Sequence, residues 1–311
     1  MSRIIVTGGS GRLGRSVVAV LAEAGHEVFS LDRAPVEGLP AEQVVVDLAE
    51  EGAAAECFER IRPDGVVHLA AVAVPFSEPD RATFATNTDL AWTVLEASLS
   101  VGAASLLIAS SPTVIGYGSP TGWKPAYLPI DEQHPRAPWN SYALSKLAVE
   151  ELVAMAARRD GDRLRIGAFR PCYVIAPEEW EGAQTQQGHT VRERLDDPAL
   201  SAVALFNYVD ARDAGDFVRL WLEQAATLPN GTTFFVGAHD SLVTAPLPDA
   251  LAQHVPAAGG YAIAADGAVF SSHLAEELLG WRARRSWRTE LHTPEHSAAP
   301  SPRTISEVEH A

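Results

Sequence analysis

Lysine is nearly absent from this chain: it occurs twice, as Lys124 and Lys146, against 22 arginines. Arginine serves almost every other cationic position, so the ammonium at 146 marks a place where a compact, titratable charge is needed. Cysteine is equally scarce. Cys57 and Cys172 offer neither a disulfide framework nor metal-ligand spacing, so no metal is expected. No apolar run of ~18 residues occurs, so no membrane span is expected either. Basic residues are outnumbered, and a formal charge of −16 argues against nucleic acid or anionic membrane surfaces as partners. A small anionic ligand stays open, because a local site can oppose the global sign. Nothing near Met1 resembles a signal peptide, since Arg3 is followed by a short apolar run ending at Thr7. The expectation is a soluble cytoplasmic protein that acts on a small molecule.

What is present is ordered. Short apolar runs at Ile4–Val6, Val28–Phe29, Val44–Val46, Val66–Leu69, Leu106–Ile108 and Ile166–Phe169 alternate with amphipathic stretches. The latter lie near 12–24, 53–61, 81–101 and 141–158. Continuous apolar strands separated by helices predict an α/β, doubly wound parallel sheet covered on both faces. After Arg170-Pro171 the regularity fades, and 177–199 reads as loop with one helix. A helix near 211–226 and a strand at Thr233–Val236 follow. The chain is divided into a dinucleotide-binding region, 1–170, and a mixed region, 171–291, holding a small C-terminal substrate lobe and returning sheet elements. The polar stretch 292–311 is expected to be a disordered tail.

The first strand ends in TGGSGRLG, residues 7–14, which opens a helix. Gly8, Gly11 and Gly14 allow a tight turn and close backbone approach, and the helix start offers free N–H groups to a pyrophosphate. Arg12 and Leu13 lie in the same turn. Asp32 ends the second strand, 18 residues after Gly14, where a carboxylate would accept from an adenosine ribose. This favours NAD. Arg33 and Arg12 pull the other way, since either would suit the 2′-phosphate of NADP. Asp47 with Leu48 would contact the adenine, or Asp47 caps the helix that follows.

Tyr142 and Lys146 are four apart and share a helix face, so phenol and ammonium serve one site. Ser110-Ser111 closes the fifth strand. Seven stretches recur in order: TGGSGRLG, HLAA at 68–71, NTDL from Asn87, ASSPTVIGYG at 109–118, YALSK at 142–146, FRPCYVIAP at 169–177 and YVDARDAGDF at 208–217. With them, residues 3–281 resemble an extended short-chain dehydrogenase/reductase of the NAD-dependent epimerase/dehydratase family, whose fold is of Rossmann type. A free phenol titrates near 10. Lys146 and an oxidised nicotinamide would both favour phenolate, letting Tyr142 exchange a proton with a substrate oxygen as hydride moves. Ser111 would orient that oxygen. The resemblance implies that Lys146 holds the nicotinamide ribose, that Leu69, Ala70, Ala71 and Asn87 lie by the cofactor, and that Pro171 and Cys172 flank the nicotinamide. It also implies a homodimer through the helices near 88–101 and 141–158. Ile115 stands where many members have tyrosine, and His68 is read as a strand-end histidine.

Only 36 residues separate Pro171 from Tyr208, a short lobe that suggests a sugar or sugar acid rather than a nucleotide sugar. The nearest analogy is to uronate dehydrogenases, although those carry Asn-His where this chain has Pro112-Thr113. Thr113, Phe76, Ser77, Trp139, Asn140 and Trp180 are candidate substrate contacts. Arg192 or Arg194 would clamp a carboxylate, or both lie on a solvated helix face. The expected function is NAD(P)-dependent hydride transfer to or from a small hydroxylated substrate through Ser111, Tyr142 and Lys146. The rivals are a nucleotide-sugar 4-epimerase and a non-catalytic dinucleotide sensor.

Overall fold

The strand β1 (Arg3–Thr7) lies where the strand order reverses in the computed structural model of this protein, which describes residues 1–291. The chain continues through α1 (Arg12–Glu23), β2 (Glu27–Asp32), β3 (Glu42–Val45), α2 (Ala53–Ile61), β4 (Gly65–His68), α3 (Asp80–Val101) and β5 (Ser105–Ala109). Then come α4 (Ser141–Asp160), β6 (Arg165–Pro171), β7 (Val174–Ile175), α5 (Pro177–Trp180), α6 (Val191–Asp196), α7 (Ala199–Ala202) and β8 (Val209–Asp210). It closes with α8 (Ala211–Gln224), β9 (Thr233–Val236), α9 (Leu247–His254), α10 (His273–Leu279) and α11 (Trp287–Glu290). The seven-stranded sheet has the order β3-β2-β1-β4-β5-β6-β9, and every neighbouring pair is parallel.

Alternation along each strand sends side chains to two cores. Ile4 and Val6 of β1 pack with Val17, Leu21, Phe217 and Trp221 from α1 and α8. Ile5 between them packs with Phe58, Val94, Leu95 and Val153 from α2, α3 and α4. Burial on both faces is why these strands read as unbroken apolar runs. β3 is the exception, a half-exposed edge strand in which Val45 is exposed. The strand expected at 44–46 begins two residues earlier, at Glu42, because its edge position needs little apolar content.

The segment expected to be loop with one helix holds two short helices, α5 and α6, and α7 begins at its last residue. Pro177 starts the first, and Thr190 with Glu193 forms a capping box on the second. Ile175, Trp180, Val191, Leu195 and Tyr208 build a small third core there, joined by Leu242 and Trp287. The stretch read as a disordered tail, 292–311, lies outside the described residues.

Candidate active site

At the C-terminal edge of the sheet, the reversal between β1 and β4 opens the crevice in which folds of this kind hold ligands. The glycine loop crosses it. Gly8 has φ +71, and a Cβ there would stand 2.7 Å from the Ala70 backbone nitrogen. At Gly14 a Cβ would stand 2.1 Å from the Gly8 carbonyl oxygen. No side chain caps α1 at Gly11. The helix start therefore presents bare backbone, the arrangement that suits a pyrophosphate. Leu13 and Leu69 rest partly buried against the core beneath.

Asp32 accepts hydrogen bonds from the Ser10 N–H at 3.0 Å and the Arg33 N–H at 2.7 Å, which fixes its carboxylate at the rim of the loop. Arg33 is exposed, with no side-chain partner among the described residues. Arg12 is engaged elsewhere. Its guanidinium forms two 2.7 Å bonds to Glu179, one of 2.6 Å to the Val174 carbonyl and one of 3.0 Å to Gln186. It thus ties the start of α1 to α5. Asp47 accepts from the Ala49 N–H at 2.9 Å, inside a turn. The residue capping α2 is Gly52, so the cap reading of Asp47 gives way to a local turn. Leu48 is buried in the core with Ala54 and Leu90.

Three residues named from sequence meet at the ends of β5 and α4. Ser111, Tyr142 and Lys146 are all buried. The Lys146 ammonium donates to the Ala109 carbonyl at 2.9 Å and lies 5.8 Å from the Tyr142 ring centroid. Burial holds the amine well below its ordinary value, at about 8. Burial also pushes the Tyr142 phenol up, and the Ser111 hydroxyl beside it pulls the other way. Desolvation is the larger of these two influences. Ser111 accepts from the Thr113 N–H at 3.3 Å and the Thr113 hydroxyl at 2.9 Å, and its own hydroxyl is hydrogen-bonded to the Tyr142 phenol.

Around this centre the supports are polar and buried. Asn87 accepts from the Val72 N–H at 2.7 Å and donates to Ser145 at 2.9 Å, joining the loop after β4 to α4 between Tyr142 and Lys146. His68 sits 2.7 Å from the Thr7 hydroxyl, which in turn accepts from the Ala70 N–H. Burial, aided by Lys146, lowers His68 to about 3, so it is neutral. Pro171 ends β6, and Cys172 is buried with its N–H bonded to the Val236 carbonyl. Burial pushes its thiol up.

Several substrate candidates turn out to be structural. Trp180 is buried in the third core with its Nε1 2.7 Å from Asp210, so it is no stacking surface. Asn140 caps α4 through the Ala143 N–H, and Ser77 donates to the Val74 carbonyl. Arg192 is exposed and donates to the Leu291 carbonyl. Arg194 is 1% exposed, which overturns the solvated-face reading. Its guanidinium donates to Thr185, the Leu200 carbonyl, the Tyr173 hydroxyl and Gln187, all neutral acceptors. Phe76 and Trp139 stay exposed and meet each other, ring centroids 5.7 Å apart.

Sequence reasoning missed two residues. Tyr117 places its hydroxyl beside Tyr142, Cys172 and Asn207. Asn207 accepts from the Tyr173 N–H at 2.8 Å. The IGY segment contained the first, but spacing carries no signal that a loop tyrosine turns inward. Among the described residues no group of His, Cys, Asp and Glu is placed to hold a metal, and no helix is long and apolar enough to cross a membrane.

Comparison with known proteins agrees with this geometry. The profile of the NAD dependent epimerase/dehydratase family matches residues 4–237, and the chain belongs to that family. The chain is similar to the UDP-glucose 4-epimerase of Lacticaseibacillus casei, 27% identical over 90% of this chain and 91% of that protein. It is also similar to the L-arabinose 1-dehydrogenase (NAD(P)(+)) of Haloferax volcanii, 31% identical over 63% of this chain and 72% of that one. Other UDP-glucose 4-epimerases recur, and the chain spans about half the length of several of them. Among solved structures, a short-chain dehydrogenase/reductase superfamily protein from Agrobacterium tumefaciens with bound NAD has the same fold. It superposes with TM-score 0.69 at 24% identity, over 93% of this chain and 94% of that one.

Proposed function

We propose that the chain binds NAD and exchanges a proton and a hydride with a hydroxyl-bearing carbon of a sugar substrate. The observation that carries this is the buried convergence of Ser111, Tyr142 and Lys146 beside a glycine loop shaped for a pyrophosphate. NAD supplies the hydride acceptor. The Tyr142 phenol exchanges the proton with the substrate oxygen, and the Ser111 hydroxyl, which bonds the phenol, would turn to that oxygen and fix its direction. Lys146, anchored on the Ala109 carbonyl, would hold the nicotinamide ribose with its remaining N–H groups. Gly8, Gly11 and Gly14 make room for the phosphates, and Asp32 with Leu48 borders the adenosine. Asp32 favours NAD, whereas Arg33 leaves NADP within reach.

For the net reaction, the relatives weigh toward 4-epimerisation of a nucleotide sugar, in which the hydride returns to the opposite face of the same carbon. The near full-length match to the L. casei epimerase is the strongest support. Net oxidation of a free sugar or sugar acid is the second reading. It draws on the 36-residue span between Pro171 and Tyr208 and on the likeness to the H. volcanii dehydrogenase.

The test pairs two assays on one preparation. UDP-glucose and UDP-galactose are each supplied and their interconversion is followed by chromatography. Free sugars, uronic acids and polyols are supplied with NAD or NADP, and reduced nicotinamide is followed by absorbance. Interconversion names the epimerase, and nicotinamide reduction names the dehydrogenase. Inactivity in both, with NAD bound, would sink the proposal. We also infer a homodimer formed through α3 and α4, which leave Trp92 and Leu144 exposed. A monomeric mass in chromatography at micromolar concentration would refute it.

A further inference from the structure

Phe76 and Trp139 are two of the few large apolar side chains left exposed, at 65% and 38%. They come from different loops, one after β4 and one just before α4, yet their rings meet at 5.7 Å with an interplanar angle of 39°. Neither belongs to any of the three hydrophobic cores. Phe76 also holds φ +64, a conformation that a bulky residue adopts only when its surroundings impose it. A strained residue whose ring stays in water returns nothing to folding. Strain of that kind collects at ligand sites.

The pair is held in place and aligned with the centre. Ser141 donates to Asp80 at 2.7 Å, which latches the start of α4 to the start of α3 and so sets the two loops side by side. The Trp139 Nε1 donates to the Tyr117 carbonyl at 3.0 Å. The Tyr117 hydroxyl in turn lies buried beside Tyr142 and Cys172. Trp139 is thus bonded to the backbone of the residue whose hydroxyl lies beside the reacting phenol, and it stands three residues before Tyr142. Among the described residues no cation sits over either outer ring. The outer ring faces are open to a flat apolar ring face.

We propose that Phe76 and Trp139 form an outer subsite that stacks the flat face of a second ring joined to the reacting sugar. The proposal rests on the sugar-directed function above and adds a requirement that the substrate extend beyond one ring. That ring is either the second sugar of a glycoside or the base of a nucleotide sugar, since both present an apolar face to aromatic side chains.

The test measures binding by calorimetry to the full chain saturated with NAD. The ligands are a monosaccharide, a disaccharide, UDP-glucose and UDP alone, and the proteins are the parent, Phe76→Ala, Trp139→Ala and Trp139→Phe. The alanine variants should weaken the two-ring ligand about fivefold more than the monosaccharide, and Trp139→Phe should keep most of the affinity. Selective loss for the disaccharide identifies the glycoside. Selective loss for UDP-glucose and UDP identifies the base. Equal losses for one-ring and two-ring ligands would overturn the subsite, as would no loss at all or no binding of any two-ring ligand. Dissociation of a dimer by the alanine variants without a selective affinity loss would make the pair a subunit contact instead. Ring-dependent binding with no turnover would retain the subsite and reject the proposed chemistry.

Discussion

Glu150 and Arg170 form a buried ion pair, with Glu150 one turn beyond Lys146 on α4. The guanidinium donates to the two carboxylate oxygens at 2.7 and 2.8 Å, and both side chains are at most 3% exposed. Ser110 donates to the same carboxylate at 2.6 Å. One carboxylate therefore fastens the ends of β5 and β6 to the helix bearing Tyr142 and Lys146. Removing one partner strands the other charge in a dry site. Glu150→Gln is expected to cost about 3–5 kcal/mol in urea unfolding. Glu150→Gln combined with Arg170→Met should recover part of that loss. A single variant within 1 kcal/mol of the parent would show that the pair does not hold the site together.

Tyr142→Phe removes only the hydroxyl. Turnover should fall by at least ~100-fold, with NAD affinity within about threefold of the parent. Stopped-assay rates and a cofactor titration on the same protein separate the two effects. Near-normal rates would take the proton away from this phenol.

Asp32 braces the loop through Ser10 and repels a 2′-phosphate. Asp32→Ala should weaken NAD about tenfold and raise the ratio of NADP to NAD affinity. Arg33→Ala should then lower NADP affinity in that background. Calorimetric titration of both cofactors reads the outcome, and an unchanged ratio would exclude Asp32 as the discriminating group.

His68 is held neutral down to about pH 3, below the ordinary histidine value of 6.5. Between those values the unfolded chain binds the extra proton and the folded chain does not. Stability contributed by neutral burial is therefore full above pH 6.5 and is lost as pH falls toward 3. The loss is on the order of 4 kcal/mol over that window. His68→Asn should flatten the dependence when denaturant midpoints are compared across pH, whereas an equal slope in the variant would place the acid sensitivity elsewhere.

The local devices could be read from residue order alone. The glycine loop, its following helix and the Tyr142–Lys146 face were legible because their chemistry acts within a few residues, where spacing fixes geometry. The parallel sheet was legible for the same reason, since strands buried on both faces must be apolar throughout. Even the capping box at Thr190 and Glu193 was written in the chain, although the polar composition around it hid the helix.

Which distant residues meet depends on the packed molecule. Arg194 reads as a surface charge until the third core closes over it, and Arg12 reads as a phosphate ligand until Glu179 arrives from the lobe. Tyr117 turns inward, and Phe76 reaches Trp139, because loops anchored on different strands converge at one sheet edge. The direction of the Tyr142 shift was also undecidable from spacing. A neighbouring ammonium favours phenolate, but desolvation opposes it, and burial is a property of the packed molecule that no interval along the chain encodes.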